Sequence, residues 1–232
     1  MSSSTKLSAS GKYQVEFLPD PSGCMRTTTT TNYGSGYTKT EQWPKYRLVR
    51  LTNLATQTTV FEFKQFTSHP LDCQFFVQSG VEWFFGSREY QSQLFVNLET
   101  GDYYDNCTQD YLDDSEYERK HKFDDNSAAR NDLFIWVRTC IEPNGMYAVV
   151  DGCYWGNSYE DRVYDLSHIS TGWRHIYIDL CDRLHMTPNG VIQCYIEGKL
   201  VMEATVVDGE ISDLGTVTGY AEALQAHEEA DY

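Results

Sequence analysis

The chain has 232 residues and many aromatic side chains, with 17 Tyr, 11 Phe and 5 Trp. This length fits one large β domain or two small ones, and the composition excludes wholesale disorder because it suffices to build a core. Acidic residues outnumber basic residues by 34 to 18, and the resulting net charge of −16 disfavours direct binding to nucleic acid.

Signals for membranes and secretion are missing from the sequence. It contains no apolar run of about 18 residues that would predict a transmembrane helix. Residues 1–13 lack the hydrophobic segment of a secretory signal. The 7 cysteines are irregularly spaced without a C-x-x-C motif, which favours reduced thiols. We therefore expect a cytoplasmic protein that does not contact a membrane.

Alternating apolar and polar residues predict a series of short strands. Residues 1–10 read as a flexible leader, and residues 13–17 form the first alternating run. Residues 20–40 are polar and rich in threonine, which predicts a long loop or a poorly ordered hairpin. The remaining predicted strands are 46–51, 59–64, 73–77, 81–85, 93–96, 133–137, 146–150, 162–166, 174–179, 191–197 and 200–206.

Turn sequences recur between these strands. The segment Asn53-Leu54-Ala55-Thr56-Gln57 matches Asn97-Leu98-Glu99-Thr100-Gly101 at an offset of 44 residues, and Asp165-Leu166 takes the corresponding place downstream. A loose Gly-x-Tyr/Trp motif begins at Gly11, Gly80 and Gly145, and Gly190 follows a similar Thr-Pro-Asn turn. We also match Gly86-Ser87 after Trp83 with Gly156-Asn157 after Trp155.

Hairpins that repeat about every 40–50 residues are typical of propellers, whose units are stable only against their neighbours. We therefore predict an all-β, β-propeller-like fold of repeated antiparallel hairpins with four or five blades at most. The uneven intervals between the four glycines, 69, 65 and 45 residues, leave a β-sandwich as the alternative. The predicted domain covers residues 11–207 with an acidic insertion near 102–132, and residues 208–232 form an acidic tail, in which 221–230 are helix-capable.

The most informative stretch is the hairpin at residues 141–166. Pro143-Asn144-Gly145 suits a turn, and Asp151-Gly152 predicts a break, either a bulge or a tight reversal. An exposed corner follows, Tyr154-Trp155-Gly156. Such aromatic side chains either cover a neighbouring blade or contact a ligand.

These residues carry a resemblance to a known family. The run from Pro143 to Glu160, with Gly152-Cys153-Tyr154-Trp155 and then Tyr159-Glu160, resembles a motif that reads PDGxxLAVxGCYWxxPYE. The motif occurs in uncharacterised WD40-like β-propeller proteins, mostly bacterial. The resemblance covers about 25 residues, and Ser158 stands where the family has proline. It implies a propeller fold and no particular activity.

Catalytic and metal-binding patterns are weak. Cys153 lies in a Gly-bounded turn, but no base is placed beside its sulfur, so a packed cysteine is the simpler interpretation. The dispersed histidines and the acidic run at 102–118 lack the spacing of zinc or EF-hand ligands, and we expect no metal and no cofactor. Asp151, Glu160 and Asp161 are candidate paired carboxylates for glycoside hydrolysis. The sequence contains no P-loop, dinucleotide motif or G-x-S-x-G.

The aromatic corners are the predicted binding surface, since rims of repeat folds commonly bind partners. The preferred function is a non-enzymatic interaction module that presents an aromatic, acidic rim to a protein partner, which could be basic. One alternative is an acidic decoy that inhibits a basic nucleic-acid-binding protein; another is a small-ligand or sugar binder, or a hydrolase. The predicted binding residues are Tyr154, Trp155, Asn157, Tyr159, Glu160, Trp83, Arg88 and Tyr90.

Overall fold

The computed structural model describes residues 4–32, 34, 37–67, 73–88, 92–105, 134–154, 158–176, 183–207 and 210–216. Within these ranges all regular secondary structure is β-strand, which confirms the all-β prediction. None of the described segments forms an apolar helix of membrane-spanning length.

The strands form four consecutive four-stranded antiparallel sheets and one two-stranded ribbon. The first sheet contains β1 (Ser4–Leu7), β2 (Tyr13–Pro19), β5 (Tyr46–Asn53) and β6 (Thr58–Phe66); the ribbon, β3 (Met25–Asn32) and β4 (Tyr37–Pro44), is inserted between β2 and β5. The second sheet contains β7 (Gln74–Gln78), β8 (Val81–Gly86), β9 (Leu94–Asn97) and β10 (Tyr103–Asp105). The third contains β11 (Ile135–Ile141), β12 (Tyr147–Cys153), β13 (Glu160–Asp165) and β14 (Arg174–Ile176). The fourth contains β15 (Arg183–Met186), β16 (Ile192–Ile196), β17 (Lys199–Val207) and β18 (Glu210–Thr216).

The core lies between consecutive sheets. One apolar cluster joins the first and second sheets, for example Val49 with Phe84. A second cluster, rich in aromatic rings, joins the second and third sheets, and a third joins Val149 and Val163 to the fourth sheet. The sheets therefore pack face to face in chain order, as the blades of a propeller do.

The outer faces of the two terminal sheets are polar. Glu16, Arg50 and Glu62 form a row across the first sheet, with Arg50 Nε 2.7 Å from Glu62 Oε2. On the fourth sheet, Gln193 Nε2 donates to Glu203 Oε1 at 2.8 Å. Among the described residues no apolar cluster joins the fourth sheet to the first, so the four propeller-like sheets form an open array.

The repeated turns occupy equivalent positions in the first three sheets. Tyr13 pairs opposite Asn53, Trp83 opposite Asn97, and Tyr147 opposite Asp165. The leucine after each Asn or Asp donates its backbone N–H across the sheet, at 2.8 Å for Leu54, 3.0 Å for Leu98 and 2.7 Å for Leu166. The structure thus confirms the matching turns. It also shows that Tyr147 takes the position of Trp83 in the repeat. The predicted match of Gly86-Ser87 with Gly156-Asn157 falls on residues outside the described ranges.

The prediction of a break at Asp151-Gly152 is wrong. Strand β12 runs without interruption to Cys153, and Gly152 pairs with Trp136 on one side and Glu160 on the other. The irregularity lies in β11, where the register shifts between Trp136 and Arg138. Glycine is required at 152 because a Cβ there would lie 2.1 Å from the carbonyl oxygen of Ile135.

Several segment boundaries differ from the sequence prediction. Ser4–Leu7, assigned to a flexible leader, pairs with β2 as an edge strand. Of the two alternatives for residues 20–40 the hairpin is correct, and Glu210–Thr216 extends the fourth sheet into the predicted tail. Tyr103–Asp105, within the predicted insertion, forms β10. The rest of the insertion, 106–132, and residues 217–232 lie outside the described residues.

Candidate functional site

One face of the third sheet changes from apolar to charged along its strands. Val149 and Val163 are buried against the fourth sheet. Arg138, Asp151 and Asp161 lie opposite one another across β11, β12 and β13. Because side chains alternate between faces along a strand, this charged row shares a face with the two valines. It therefore faces the fourth sheet at the point where apolar packing ends.

A cleft of about 400 Å³ separates the charged row from β15. We call it the intersheet cleft. Its walls belong to β11, β12 and the residues around the start of β13 on one side, and to β15 on the other. The lining residues are Arg138, Thr139, Cys140, Val149, Asp151, Tyr159, Glu160, Asp161, Arg183, Leu184, His185 and Met186.

Asp161 links the two walls of the cleft. Its Oδ2 accepts the backbone N–H of Leu184 at 2.6 Å. β15 is the edge strand of the fourth sheet, so this carboxylate satisfies a donor that the sheet leaves unpaired. Burial raises the pKa of Asp161 and the Asp151 charge acts in the same direction, while the Leu184 N–H opposes them.

Asp151 is held as one half of an ion pair. Its Oδ2 lies 2.7 Å from Arg138 Nη2, and Arg138 Nε donates to the same oxygen at 2.9 Å. Two carboxylates directly opposite each other on neighbouring strands repel, and the Arg138 guanidinium offsets that repulsion between Asp151 and Asp161.

A cation–aromatic cluster lies on the opposite face of the third sheet. The Arg162 guanidinium carbon is 4.0 Å from the centre of the Phe134 ring and 4.8 Å from that of Tyr154. Arg162 also donates to Tyr154 Oη at 3.0 Å and, through Nε, to Glu160 Oε1 at 2.7 Å. Burial acts to lower the pKa of Arg162, but the hydrogen bonds with Tyr154 and Glu160 outweigh it and raise the pKa.

The structure brings three of the predicted binding residues to one end of the third sheet. Arg162 connects Tyr154 with Glu160, and Tyr159, which is 64% exposed, lines the intersheet cleft with Glu160. Sequence analysis overlooked Arg162, although its position two residues after Glu160 on a strand places both side chains on one face.

Two other predicted binding residues are corrected by their burial. Trp83 is 9% exposed, stacks on Phe76 of the adjacent strand with ring centres 6.4 Å apart, and belongs to the apolar cluster between the second and third sheets. Arg88 is 3% exposed, and its Nε lies 2.9 Å from Asp105 Oδ2. Neither side chain is presented to solvent. Trp155, Asn157 and Tyr90 lie outside the described residues.

The candidate catalytic residues do not all lie at one place in the structure. Asp151, Glu160 and Asp161 line the intersheet cleft, but the Glu160 carboxylate pairs with Arg162 on the opposite face of the third sheet. Cys153 is half-buried at the end of β12, and none of the five described cysteines takes part in a disulfide. No group of three or more His, Cys, Asp and Glu side chains in the described ranges is arranged to hold a metal ion.

Comparisons with known proteins identify one relative in sequence and several in structure. No family model matches the chain. It is 32% identical over 102 residues to uncharacterized protein R762 of Acanthamoeba polyphaga mimivirus. That match covers 44% of this chain and 33% of the viral protein, so it spans about a third of that relative's length.

Three solved structures are similar over most of this chain. The β-propeller domain of Cps50 (Swd1) from Myceliophteria thermophila gives a TM-score of 0.40 at 9% identity, covering 96% of this chain and 74% of that one. TolB from Acinetobacter baumannii gives 0.31 at 12% identity, covering 88% and 49%. The β-propeller domain of the Trilobed protease from Pyrococcus furiosus, described as having an open velcro topology, gives 0.34 at 11% identity, covering 91% and 70%.

Proposed function

We propose that the chain is a non-enzymatic binding module that presents an aromatic, acidic rim to a protein partner. The rim consists of Tyr154, Tyr159 and Glu160 together with the intersheet cleft beside them. The observation that carries the proposal is the exposed Tyr159 ring beside a cleft whose wall carries the carboxylates of Asp151 and Asp161.

The chemistry of the rim suits a basic segment of a protein. Exposed tyrosine supplies a large, rigid apolar face with a polar tip, a combination that is enriched in protein interfaces. The Asp151 and Asp161 carboxylates can accept hydrogen bonds from a Lys or Arg side chain that enters the cleft. The net charge of −16 steers a basic partner toward the chain and repels an acidic one.

The ion pairs of the rim favour binding over proton transfer. Arg138 forms an ion pair with Asp151, and Arg162 forms one with Glu160, so two of the three candidate carboxylates are engaged by guanidinium groups. A general acid and a nucleophile would need two carboxyl groups whose surroundings push their pKa values apart, with one of them available as an acid. Asp161 has a raised pKa, but its Oδ2 is engaged by Leu184.

The test compares two matched double variants of the full chain. Y159A/E160Q removes an exposed aromatic ring and a carboxylate from the rim. W43A/E41Q removes the same two groups from the ribbon, where Trp43 is 52% exposed. A partner captured by the wild-type chain is purified and its affinity measured by calorimetry. We expect the rim variant to bind at least about tenfold more weakly, the loss typical of a central contact, and the ribbon variant to bind normally.

Equal affinity for both variants would overturn the proposal. Turnover of a substrate by the wild-type chain, in the absence of any measurable partner, would also count against it.

A small polar ligand or sugar is the second candidate, since the cleft of about 400 Å³ contains the Asp151 and Asp161 carboxylates next to an exposed tyrosine. Thermal-shift screening against sugars and nucleotides tests it. A ligand of this cleft would raise the melting temperature of the wild-type chain and of the W43A/E41Q variant, and not that of Y159A/E160Q. A flat response from the wild-type chain would exclude this candidate for the compounds screened.

The acidic-decoy alternative remains a prediction, because most of the acidic segment on which it depends lies outside the described residues. It requires binding to a basic protein that weakens steeply with salt. The WD40-like resemblance and the cytoplasmic location likewise remain proposals.

A further inference from the structure

The wall of the intersheet cleft that β15 forms is basic rather than acidic. Arg183 and His185 are exposed, whereas Leu184 and Met186 between and after them are buried. Because they are two residues apart on a strand, Arg183 and His185 project to the same side. Two nitrogen-donor side chains are thus adjacent on the surface of a chain whose net charge is −16.

A second cleft adjoins the first at these two residues. It has a volume of about 530 Å³, and the described residues that line it are Arg183, His185, Tyr195 and Gly198. Tyr195 lies directly opposite Arg183 across β15 and β16, and its hydroxyl is 3.1 Å from Gln193 Oε1. Arg183 and His185 therefore lie between the two clefts and line both of them.

Arg183 differs from the other arginines of the third and fourth sheets in its pairing. Arg138, Arg162 and Arg174 form ion pairs with Asp151, Glu160 and Asp165. Arg183 is near enough to Asp161 to act electrostatically on it, yet no carboxylate of the described residues forms an ion pair with the Arg183 guanidinium. The Asp161 carboxylate is already engaged by Leu184.

We propose that Arg183, His185 and Tyr195 form a binding site for an anionic group, phosphate or carboxylate. A guanidinium donates two parallel hydrogen bonds to either group, and the imidazole supplies a further donor from the neighbouring position. Tyr195, whose hydroxyl donates to Gln193 Oε1, forms the side of the site. The site adds a second contact for the proposed protein partner, and its biological role rests on the proposed function. The partner segment would place a basic side chain against Asp151 and Asp161, and an anionic group at Arg183 and His185 on the edge strand β15. The strongly negative chain repels free anions, so the separate anion binds weakly, in the millimolar range.

The experiment is a nuclear magnetic resonance titration of the full ¹⁵N-labelled chain, first with inorganic phosphate and then with acetate, at constant ionic strength. We expect saturable shifts of the Arg183 side-chain Nε–H signal and of backbone amides in β15 and β16. R183A should weaken binding at least fivefold, and R183K should weaken it partially, because lysine keeps the charge but loses the two-pronged geometry. R26A, which removes an exposed arginine from the ribbon, should bind as the wild-type chain does.

Each outcome decides the proposal. Shifts that do not saturate, or that are equal in R183A and wild-type chains of unchanged thermal stability, overturn it. Tighter binding of phosphate than of acetate indicates a phosphorylated segment, which a phosphoserine peptide should then reproduce, and equal binding of both anions indicates a carboxylate.

The titration also separates this inference from the proposed function. Anion binding that is retained in Y159A/E160Q supports the site even if no protein partner binds the rim. A flat titration, alongside a partner whose binding Y159A/E160Q abolishes, overturns the site and leaves the proposed function standing.

Discussion

At the scale of single residues, Glu142 is the carboxylate most affected by its surroundings. It lies in the turn between β11 and β12, is 7% exposed, and its Oε2 is 2.8 Å from the point that a Cβ on Gly190 would occupy. The side chain thus packs closely against the turn between β15 and β16 of the next sheet. Burial raises the pKa of Glu142 to about 7, although hydrogen bonds from Tyr147, Met146 and Asn144 act to lower it.

We predict that E142Q removes a pH dependence of stability. The folded chain holds the Glu142 proton up to about pH 7, whereas the unfolded chain releases it near the ordinary value of 4.5. Stability from this group is therefore fully present below about pH 4.5 and is lost as pH rises through 7, by on the order of 3 kcal/mol. Urea unfolding between pH 4.5 and 8 should show E142Q gaining stability relative to wild type as pH rises.

The control for this prediction is E210Q, which changes an exposed glutamate in β18. Its stability should follow that of the wild-type chain across the pH range. If the stabilities of wild type and E142Q change with pH in parallel, the Glu142 carboxyl has the same pKa in the folded and unfolded chains. That result would contradict the prediction.

Residue exposure is the part of the site that the sequence predicted least well. Trp83 and Tyr159 both belong to predicted aromatic, Gly-containing corners, yet Trp83 is 9% and Tyr159 64% exposed. The difference depends on which sheet lies against each residue, and that information is long-range. Arg162, by contrast, was predictable from alternation, because it shares a strand face with Glu160.

At the scale of elements, the turn after the third strand of a sheet is the repeated unit. Asn97 Oδ1 accepts the backbone N–H groups of Glu99 at 2.9 Å and Thr100 at 3.2 Å. Asn53 does the same for Ala55 and Thr56, at 3.0 and 3.3 Å. In the third sheet, Asp165 Oδ1 accepts the N–H of Ser167 at 2.9 Å. A short side-chain acceptor thus fixes the start of each turn.

We predict that N97A lowers the free energy of unfolding by about 1 kcal/mol, since it removes the acceptor for two turn amides. N97D should cost less, because aspartate supplies an equivalent oxygen and already occupies this place as Asp165. Urea unfolding measures both variants. E99A is the control, since this exposed side chain is not the acceptor of the turn, and a loss in E99A as large as that in N97A would contradict the assignment.

The same elements show why the sheets were predictable and their boundaries were not. Alternation identified β2 and β5 because one face of each strand is buried. It gave no clear signal for β3 and β4, whose described side chains are almost all exposed, so the ribbon lacks an apolar face. β1 is an edge strand of four residues, too short for its alternation to register.

At the scale of the whole molecule, the open array follows from where the polar residues lie. Three apolar clusters fill the three spaces between consecutive sheets, and the outer faces of the first and fourth sheets carry charged and amide side chains. The repeated turns could predict four similar sheets because each turn is local. They could not predict how the ends meet, since closure depends on faces that are far apart in the sequence.

The charge of the whole molecule leads to a prediction about salt. With 34 acidic and 18 basic residues, the folded chain confines an excess of negative charge in a small volume, and self-repulsion destabilises the compact state. Sodium chloride screens this repulsion, so the melting temperature should rise by a few degrees between about 10 and 300 mM and then level off as the screening length falls to a few ångströms.

Sucrose provides the control for this effect, because it favours the folded state through exclusion from the protein surface and should raise the melting temperature without levelling off. A melting temperature that falls with added sodium chloride would mean that attractive pairs such as Arg50 with Glu62, whose side chains are partly exposed and open to screening, outweigh the net repulsion. In that case the acidic charge would be locally compensated on the folded surface, and the long-range steering of a basic partner toward the rim would be correspondingly weak.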